Sequence, residues 1–357
     1  MTDKHSQMSS TGYQSGSNSF YTAEVSQDVA LNSTVISLSY IDQSDSSRNT
    51  VVCIAPELGS NMFRFRVGDH DLIYTDQTLL KDKDFTGNFV LWPFPNRVRN
   101  KRYTYRGQSY SLENVQRPRG NAPLIHGLVF DRPWRYSEPI IGLDAVSVTT
   151  YLDVNNESPY YMAYPFDSRL SLTYTLTGTE LSITYQVQNK SSHVLPFGFA
   201  LHPYFSTFSD KEDVLISIPV QAVMEADDEL LPTGRIFDVN KIMYAMYDLR
   251  EPIAVGHLKL DHVYTWLNKP ALSILDYKKL AMQLHISATD DFTHIVIYTL
   301  DQAPYLCVEY QTCSTDAINL HNQSADLRDA AHLLEVKPGE IYSGTIRYTV
   351  IFTAQDV

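Results

Sequence analysis

The chain has 357 residues, of which 43% are hydrophobic and 19% are charged, a balance typical of a globular protein with a sizeable core. Its formal net charge of -13 argues against non-specific nucleic-acid binding and against a basic surface that docks on membranes. The three cysteines, Cys53, Cys307 and Cys313, form no CxxC pair and do not indicate a disulfide framework.

The N-terminal segment differs in composition from the rest of the chain. Residues 1–20 are rich in Ser, Gly, Gln and Asn, which predicts a flexible tail followed by a single domain over residues 21–357. The segment lacks the apolar stretch of a signal peptide, and no later apolar run reaches the roughly 18 residues of a membrane span. We therefore expect a cytoplasmic protein with no membrane partner.

Alternation of apolar and polar residues dominates the remaining sequence. Thr, Val, Ile and Tyr, which favour strands, are frequent in segments 34–41, 171–189, 293–300 and 344–354. The best helix candidate is the short segment 326–335. Many short strands punctuated by Gly, Pro, Asn and Asp predict an all-β protein, and at this length one large antiparallel β-sandwich.

The stretch PFGFALHPYF, residues 196–205, combines a bulky apolar face with a small one. In a strand, the side chains opposite the bulky set are those of Gly198, Ala200 and His202. This pattern predicts a strand that lines a cavity, with one imidazole directed into it. A hydrogen-bonded core histidine is the alternative.

A second apolar strand, residues 305–312, carries one carboxylate. Alternation places Glu309 on the same face as Cys307 and Gln311. Burial would raise the pKa of this carboxyl towards the range useful for a general base. A structural ion pair with an arginine is the alternative.

Three further segments present polar residues near turns. Two prolines give a rigid approach to Asn96 and Arg97, unless this run is a basic edge strand exposed to solvent. His126 precedes Gly127, which permits close approach of a ligand, although an ordinary loop histidine fits as well. Asp261 follows an alternating segment and could instead form an Asx turn at the end of a strand.

Several well-known motifs are absent from the sequence. It has no GxGxxG after a strand, no GxxxxGK[ST], no GxSxG and no HExxH. His126 and His202 are far apart, without the close ligand pair typical of metal sites. We therefore predict neither a metal nor a cofactor.

Taken together and in this order, these segments resemble the aldose 1-epimerase (galactose mutarotase) family. The resemblance covers roughly residues 30 to 355. It implies a large antiparallel β-sandwich of the galactose mutarotase-like type. The implied reaction interconverts the α and β anomers of a free aldohexose, such as glucose or galactose. The matching segments are PFPNRVRNKRYTYRGQSYSL (93–112), IHGLVFDRPW (125–134), GFALHPYF (198–205), LPTGRIFDV (231–239), LDHVYT (260–265), CVEYQT (307–312) and VKPGEIYSGTIRYTV (336–350).

The resemblance also implies roles for individual residues. Glu309 corresponds to the general base and His202 to the general acid, and the small Gly198 and Ala200 would leave room for the sugar. The expected partner is a small-molecule sugar, bound by a monomer or homodimer without metal or cofactor. The implied substrate-binding residues are Asn96, Arg97, His126, Tyr204 and Asp261.

The sequence departs from the animal galactose mutarotases at two places. Val296 stands where those proteins carry a sugar-contacting glutamine, and the HPYF motif lacks the asparagine that follows it there. Both departures leave the preferred sugar open.

Two alternative functions remain on the same fold. A hexose-6-phosphate 1-epimerase would need a cationic cluster for the phosphate. A non-catalytic carbohydrate-binding protein would not need the pair Glu309 and His202. The candidate cations for a phosphate are Arg97, Arg99, Lys101, Arg102, Arg117 and Arg119.

Overall fold

A computed structural model describes residues 20–117, 124–208 and 210–353, and the backbone of residues 13–17. Helices are short in these ranges: α1 (Gln77–Lys81), α2 (Ala317–Leu320) and α3 (Ala325–Ala331). No helix among the described residues is both long and apolar enough to cross a membrane. Short 3₁₀ segments cover Ser46–Arg48, Pro56–Leu58, Arg99–Lys101, Tyr161–Ala163, Lys211–Asp213, Ile242–Tyr247, Val255–His257 and Lys278–Leu280.

Strands make up most of the fold. In chain order they are β1 (Tyr13–Ser17), β2 (Tyr21–Asp28), β3 (Ser33–Tyr40), β4 (Thr50–Ala55), β5 (Asn61–Val67), β6 (His70–Asp71), β7 (Asn88–Leu91), β8 (Arg102–Tyr105), β9 (Gln108–Ser111), β10 (Arg135–Tyr136), β11 (Ile140–Ile141), β12 (Val146–Val154), β13 (Ser168–Thr177), β14 (Glu180–Asn189), β15 (Leu195–Phe197), β16 (Ala200–Ser206), β17 (Val214–Ser217), β18 (Val220–Ala226), β19 (Pro232–Asp238), β20 (Ile253–Ala254), β21 (Asp261–Leu267), β22 (Leu272–Tyr277), β23 (Met282–Ala288), β24 (His294–Thr299), β25 (Tyr305–Gln311), β26 (Leu334–Val336) and β27 (Ile341–Phe352).

Three antiparallel sheets form the body of the protein. Strands β1 to β6 pair in chain order. A ten-stranded sheet has the order β10-β12-β13-β14-β27-β23-β22-β17-β20, with β11 also on β12. A seven-stranded sheet has the order β19-β18-β21-β24-β25-β16-β7, and two further strand pairs are β15-β26 and β8-β9.

The core lies between the ten-stranded and seven-stranded sheets. Tyr310 of β25 donates a 3.1 Å hydrogen bond to the carbonyl of Ile286 in β23. Phe205 of β16 meets Tyr348 of β27 edge to face, with ring centroids 5.5 Å apart. Full burial of each such large apolar side chain contributes about 1.5–3 kcal/mol relative to exposure. One face of the seven-stranded sheet is therefore fixed against the core, and the other face is left for a site.

The predicted antiparallel β-sandwich is confirmed. Residues 171–189 form the hairpin of β13 and β14, as their alternation predicts. The predicted helix over 326–335 was right only in its first part. The α3 helix ends at Ala331 because His332 adopts a left-handed conformation, with φ of 51°, and the chain then enters β26.

Part of the N-terminal segment that was predicted as a flexible tail forms a strand. Strand β1 lies inside the segment predicted as a flexible tail and pairs with β2. Residues 1–12 and 18–19 of that segment lie outside the described residues. The single-domain assignment stays a prediction.

Candidate active site

His202 and Glu309 lie side by side on the neighbouring strands β16 and β25. The register pairs Ala200 with Gln311, so two residues further along His202 stands opposite Glu309. Nε2 of His202 is 3.2 Å from Oε1 of Glu309. Both are almost fully buried, with 6% and 1% of their surfaces exposed. Alternation within each strand thus directs both side chains away from the core, as the sequence predicts.

Burial opposes charge on both members of this pair. It raises the pKa of Glu309 well above its usual value, an effect to which the nearby charge of Asp261 adds. The same cause lowers the pKa of His202 to about 3. Burial therefore favours the uncharged form of each group, the protonated carboxyl and the neutral imidazole. Because the groups are in contact, they titrate as a coupled pair.

Aromatic rings fix the orientation of His202. Phe89 and Tyr204 each stack on the imidazole, with centroid distances of 4.7 and 5.0 Å and interplanar angles of 18°. Tyr305 meets Tyr204 edge to face at 4.6 Å. Tyr204, predicted to bind substrate, is buried and lies where it positions the histidine.

His126 forms the third side of this polar cluster. Its ring is perpendicular to that of His202, at a centroid distance of 5.0 Å. Burial, followed by the charges of His202, Arg97 and Arg117, lowers its pKa well below the usual value. Among the described residues, neither Nδ1 of His126 nor Nδ1 of His202 has a hydrogen-bond partner. Buried polar atoms without partners are uncommon and suit a site that receives a polar ligand.

The loop that carries His126 is held by Arg117. The guanidinium of Arg117 donates hydrogen bonds of 2.6 and 2.7 Å to the carbonyls of Ile125 and Gly127. Asp131 lies 3.5 Å from the same guanidinium. His126 itself has a φ of 62°, uncommon for a residue other than glycine, and its N–H donates to the carbonyl of Asn96 at 2.8 Å. These contacts hold the imidazole towards the pair.

Asn96 supports Glu309 through an intermediate residue. Nδ2 of Asn96 donates to Oγ1 of Thr315 at 2.8 Å and to Oε1 of Gln311 at 3.4 Å. Nε2 of Gln311 then donates to Oε2 of Glu309 at 3.1 Å. This last bond lowers the pKa of Glu309 against the effect of burial. The amides of Asn96 and Gln311 thus orient the carboxyl.

Arg97 and Asp261 lie at the open side of the cluster. Asp261 is exposed at the surface. Even so, desolvation by its surroundings raises the pKa of its carboxyl, and the positive charge of Arg97 lowers that pKa in part. The backbone N–H of Asp261 donates to Nδ1 of His262 at 3.1 Å. Asp261 also lines a cavity of about 810 Å³ together with Tyr298.

The model of the aldose 1-epimerase family matches residues 44–349. The chain belongs to this family. It is 28% identical to the uncharacterised protein YihR of Escherichia coli K12. The alignment spans 234 residues and covers 64% of this chain and 71% of that protein. It is 27% identical to rat galactose mutarotase over 200 residues, or 54% of each chain, so it spans about half of that relative's length.

Solved structures agree with the fold of this aldose 1-epimerase family member. A galactose mutarotase-like protein from Clostridium acetobutylicum superposes with a TM-score of 0.79 at 19% identity, covering 94% of this chain and 100% of that one. A galactose 1-epimerase from Lactobacillus acidophilus NCFM gives a TM-score of 0.70 at 15% identity, covering 98% and 100%. At these identities the likeness establishes the galactose mutarotase-like fold alone.

The structure brings the predicted site residues of this family member to one face of the seven-stranded sheet. Sequence reasoning missed the roles of Phe89, Gln311 and Thr315. The strand pattern predicted the face of Gln311, but only the register shows what its amide contacts. No group of three or more His, Cys, Asp or Glu side chains within the described ranges is arranged to hold a metal ion.

The expectation that Gly198 leaves room for sugar was wrong. A Cβ on Gly198 would lie 2.2 Å from Sγ of Cys313 and 3.0 Å from Cδ of Pro95. The missing side chain of Gly198 therefore allows its backbone to pack directly against Cys313 and Pro95. Ala200 is fully buried and packs in a cluster with Phe89.

Proposed function

We propose that the protein is an aldose 1-epimerase that interconverts the anomers of a neutral free aldohexose, such as glucose or galactose. Glu309 acts as the general base and His202 as the general acid. The observation that carries this proposal is the 3.2 Å contact between Nε2 of His202 and Oε1 of Glu309 in a buried setting. Family membership supports it independently.

The reaction needs two groups that exchange protons with opposite sides of the anomeric centre. The carboxylate of Glu309 takes the proton of the C1 hydroxyl, while the imidazolium of His202 gives a proton to the ring oxygen. The C1–O5 bond breaks and the open-chain aldehyde forms. Rotation about C1–C2 presents the other face of the carbonyl, and the ring closes with both proton transfers reversed. The protein regains its original protonation state.

The buried pair is one proton transfer away from the reactive form. Burial favours a protonated Glu309 and a neutral His202. Moving the proton across the 3.2 Å contact converts the pair to carboxylate and imidazolium without any exchange with solvent. Polar groups of a bound sugar stabilise that charged form because they replace part of the lost hydration.

His126 suits a hydrogen bond to the ring oxygen or to a neighbouring hydroxyl. It is neutral, because burial lowers its pKa. Its Nδ1, which contacts no hydrogen-bond partner in the described part of the chain, can take part in such a bond. Arg97 and Asp261 supply a donor and an acceptor for hydroxyls on the opposite side.

Three of the six cations considered for a phosphate are engaged elsewhere. Arg99 pairs with Asp227 at 2.9 Å, Arg102 with Glu113 at 3.4 Å, and Arg117 is buried against Asp131 and two carbonyls. Arg119 lies outside the described residues. These pairings favour a neutral sugar over a hexose 6-phosphate.

Polarimetry of freshly dissolved α-D-glucose and α-D-galactose tests the proposal. We expect the protein to speed relaxation without changing the final rotation. Unchanged relaxation of both sugars, together with acceleration of α-D-glucose 6-phosphate, would favour the phosphorylated substrate. No acceleration of any of the three would favour a binding protein.

A further inference from the structure

A groove of about 540 Å³ lies between helix α3 and one end of the seven-stranded sheet. Thr265 of β21 and His294 of β24 line it from the sheet. Asp326 and Asp329 line it from the helix. The ring of Trp266, which is 51% exposed, is also part of the lining. A volume in this range is typical of sites for small molecules.

This groove is distinct from the proposed sugar site. His294 pairs with Gln311 in the register of β24 and β25, so it lies one strand away from the amide that binds Glu309. Among the described residues that line the groove, none is assigned to proton transfer or to sugar binding. A ligand of the groove would therefore bind beside the reacting pair and leave the sugar site open.

His294 presents a buried polar atom to this groove. The residue is 1% exposed, and Nε2 of its imidazole has no hydrogen-bond partner in the described ranges. Nδ1 lies 2.9 Å from Oγ1 of Thr293, which holds the ring from its other side. Burial lowers the pKa of His294 to about 3, and the carbonyl of Ala330 only partly opposes this, so the imidazole is neutral. A ligand hydroxyl can supply the missing hydrogen bond, since it can donate or accept.

The helix gives the groove a negative charge. Asp326 and Asp329 are three positions apart on α3, and both are exposed. Neither carboxylate lies within 4.0 Å of a Lys, Arg or His nitrogen in the part of the chain that the structure describes. Lys269 also lines the groove, but its ammonium pairs with Asp290 at 2.8 Å. The two carboxylates are thus left without a counter-charge, which favours a cationic ligand.

Trp266 supplies an aromatic face for the same ligand. Indole attracts cations more strongly than the other aromatic side chains, and the attraction grows when the cation is partly desolvated. Ile236 and Leu267 add apolar surface to the lining, which suits the carbon atoms that surround an alkylated nitrogen. An ammonium group that carries both alkyl substituents and a hydroxyl matches the ring, the carboxylates and the imidazole together.

We propose that this groove binds a small organic cation, an alkylammonium with a hydroxyl group. The ammonium lies between Trp266 and the carboxylates of α3, and the hydroxyl bonds Nε2 of His294. The inference is independent of the proposed function, because binding here needs neither Glu309 nor His202.

Calorimetric titration of the full chain tests this inference with two probes. Choline is compared with 3,3-dimethyl-1-butanol, which has the same shape and hydroxyl but no charge. The proteins are the wild type, W266L, D326N/D329N and D144N/D228N. Asp144 and Asp228 are exposed and lie outside the groove, so the last variant controls for the same change in net charge. Melting temperatures verify that each variant is folded.

We expect choline to bind the wild type at one site, about tenfold more tightly than the neutral probe. W266L and D326N/D329N should each weaken choline binding about tenfold, and D144N/D228N should bind it like the wild type. Equal affinity for the two probes would overturn the inference, because the groove would then not recognise charge. Wild-type affinity in either groove variant, or no saturable binding of choline, would overturn it as well. Displacement of choline by D-glucose would place the ligand in the sugar site and have the same consequence.

Discussion

Gln311 donates a 3.1 Å hydrogen bond to Oε2 of Glu309, the carboxyl oxygen that does not contact His202. The two residues are separated by a single position in β25, so they share a face of the strand. Asn96 holds the other end of the Gln311 amide at 3.4 Å. The orientation and the acidity of the base are thus set by its own strand and by a loop more than two hundred residues away in sequence.

Removing this hydrogen bond should change the pH dependence of turnover. The bond lowers the pKa of Glu309, so Gln311→Met should raise that pKa further. In the resting pair the proton is on Glu309, and the basic limb of the pH–rate profile, where that proton is lost to solvent, should therefore move to higher pH. An unshifted limb, measured by polarimetry between pH 4 and pH 9 (roughly the range of folded carboxyl and histidine titrations), would show that Gln311 does not tune the base.

His202→Asn removes the group assigned as the general acid. Loss of a positioned acid costs about two to four orders of magnitude in rate, and we expect turnover to fall by that amount. His285→Asn is the matched control, because His285 lies on the ten-stranded sheet away from the pair. A His202 variant that turns over as fast as this control would remove histidine from the proposed mechanism.

Buried histidines should destabilise the fold in acid. Burial lowers the pKa of His294 to about 3. The unfolded chain binds a proton at a pKa near 6.5, so the contribution to stability is complete above about pH 6.5 and is lost as the pH falls towards 3.

His294→Gln should reduce this pH dependence. The slope of unfolding free energy against pH should fall by about 1.4 kcal/mol per pH unit in the acidic range, as measured by urea denaturation between about pH 6 and pH 4. The exposed His193→Gln is the control. Equal slopes for both variants and the wild type would show that His294 does not titrate with unfolding.

Val296 should influence the choice of sugar. It pairs directly with Glu309 across β24 and β25 and is 4% exposed, so it presents an apolar surface beside the base. Val296→Gln adds an amide, and one new hydrogen bond is worth about 0.5–1.5 kcal/mol. We expect kcat/KM for galactose relative to glucose to rise about three- to tenfold. Measuring the ratio cancels effects common to both sugars, and an unchanged ratio would rule out this position as a determinant.

The sequence predicts best what depends on alternation within one strand. The faces of His202 and Glu309 follow from the two-residue period, and so does the sandwich, because each strand must bury one side. The resemblance to a family then assigned roles that spacing alone could not.

Contacts between distant segments could not be predicted in this way. The hydrogen bond between Asn96 and Gln311 depends on the register of β25 and on the position of a loop from a distant part of the sequence. Arg117 was considered as a phosphate ligand, yet its guanidinium binds the carbonyls on either side of His126. Gly198 makes room for Cys313, which no local pattern reveals.

The central claim is that the contact between Glu309 and His202 carries the proton transfers, and Glu309→Gln tests it most directly. The substitution keeps the shape of the side chain and removes the base. Anomer exchange of glucose is measured at equilibrium by NMR, and sugar binding by calorimetry. The account predicts that binding persists while catalysed exchange disappears. Exchange at the wild-type rate in a variant that still binds sugar would contradict it.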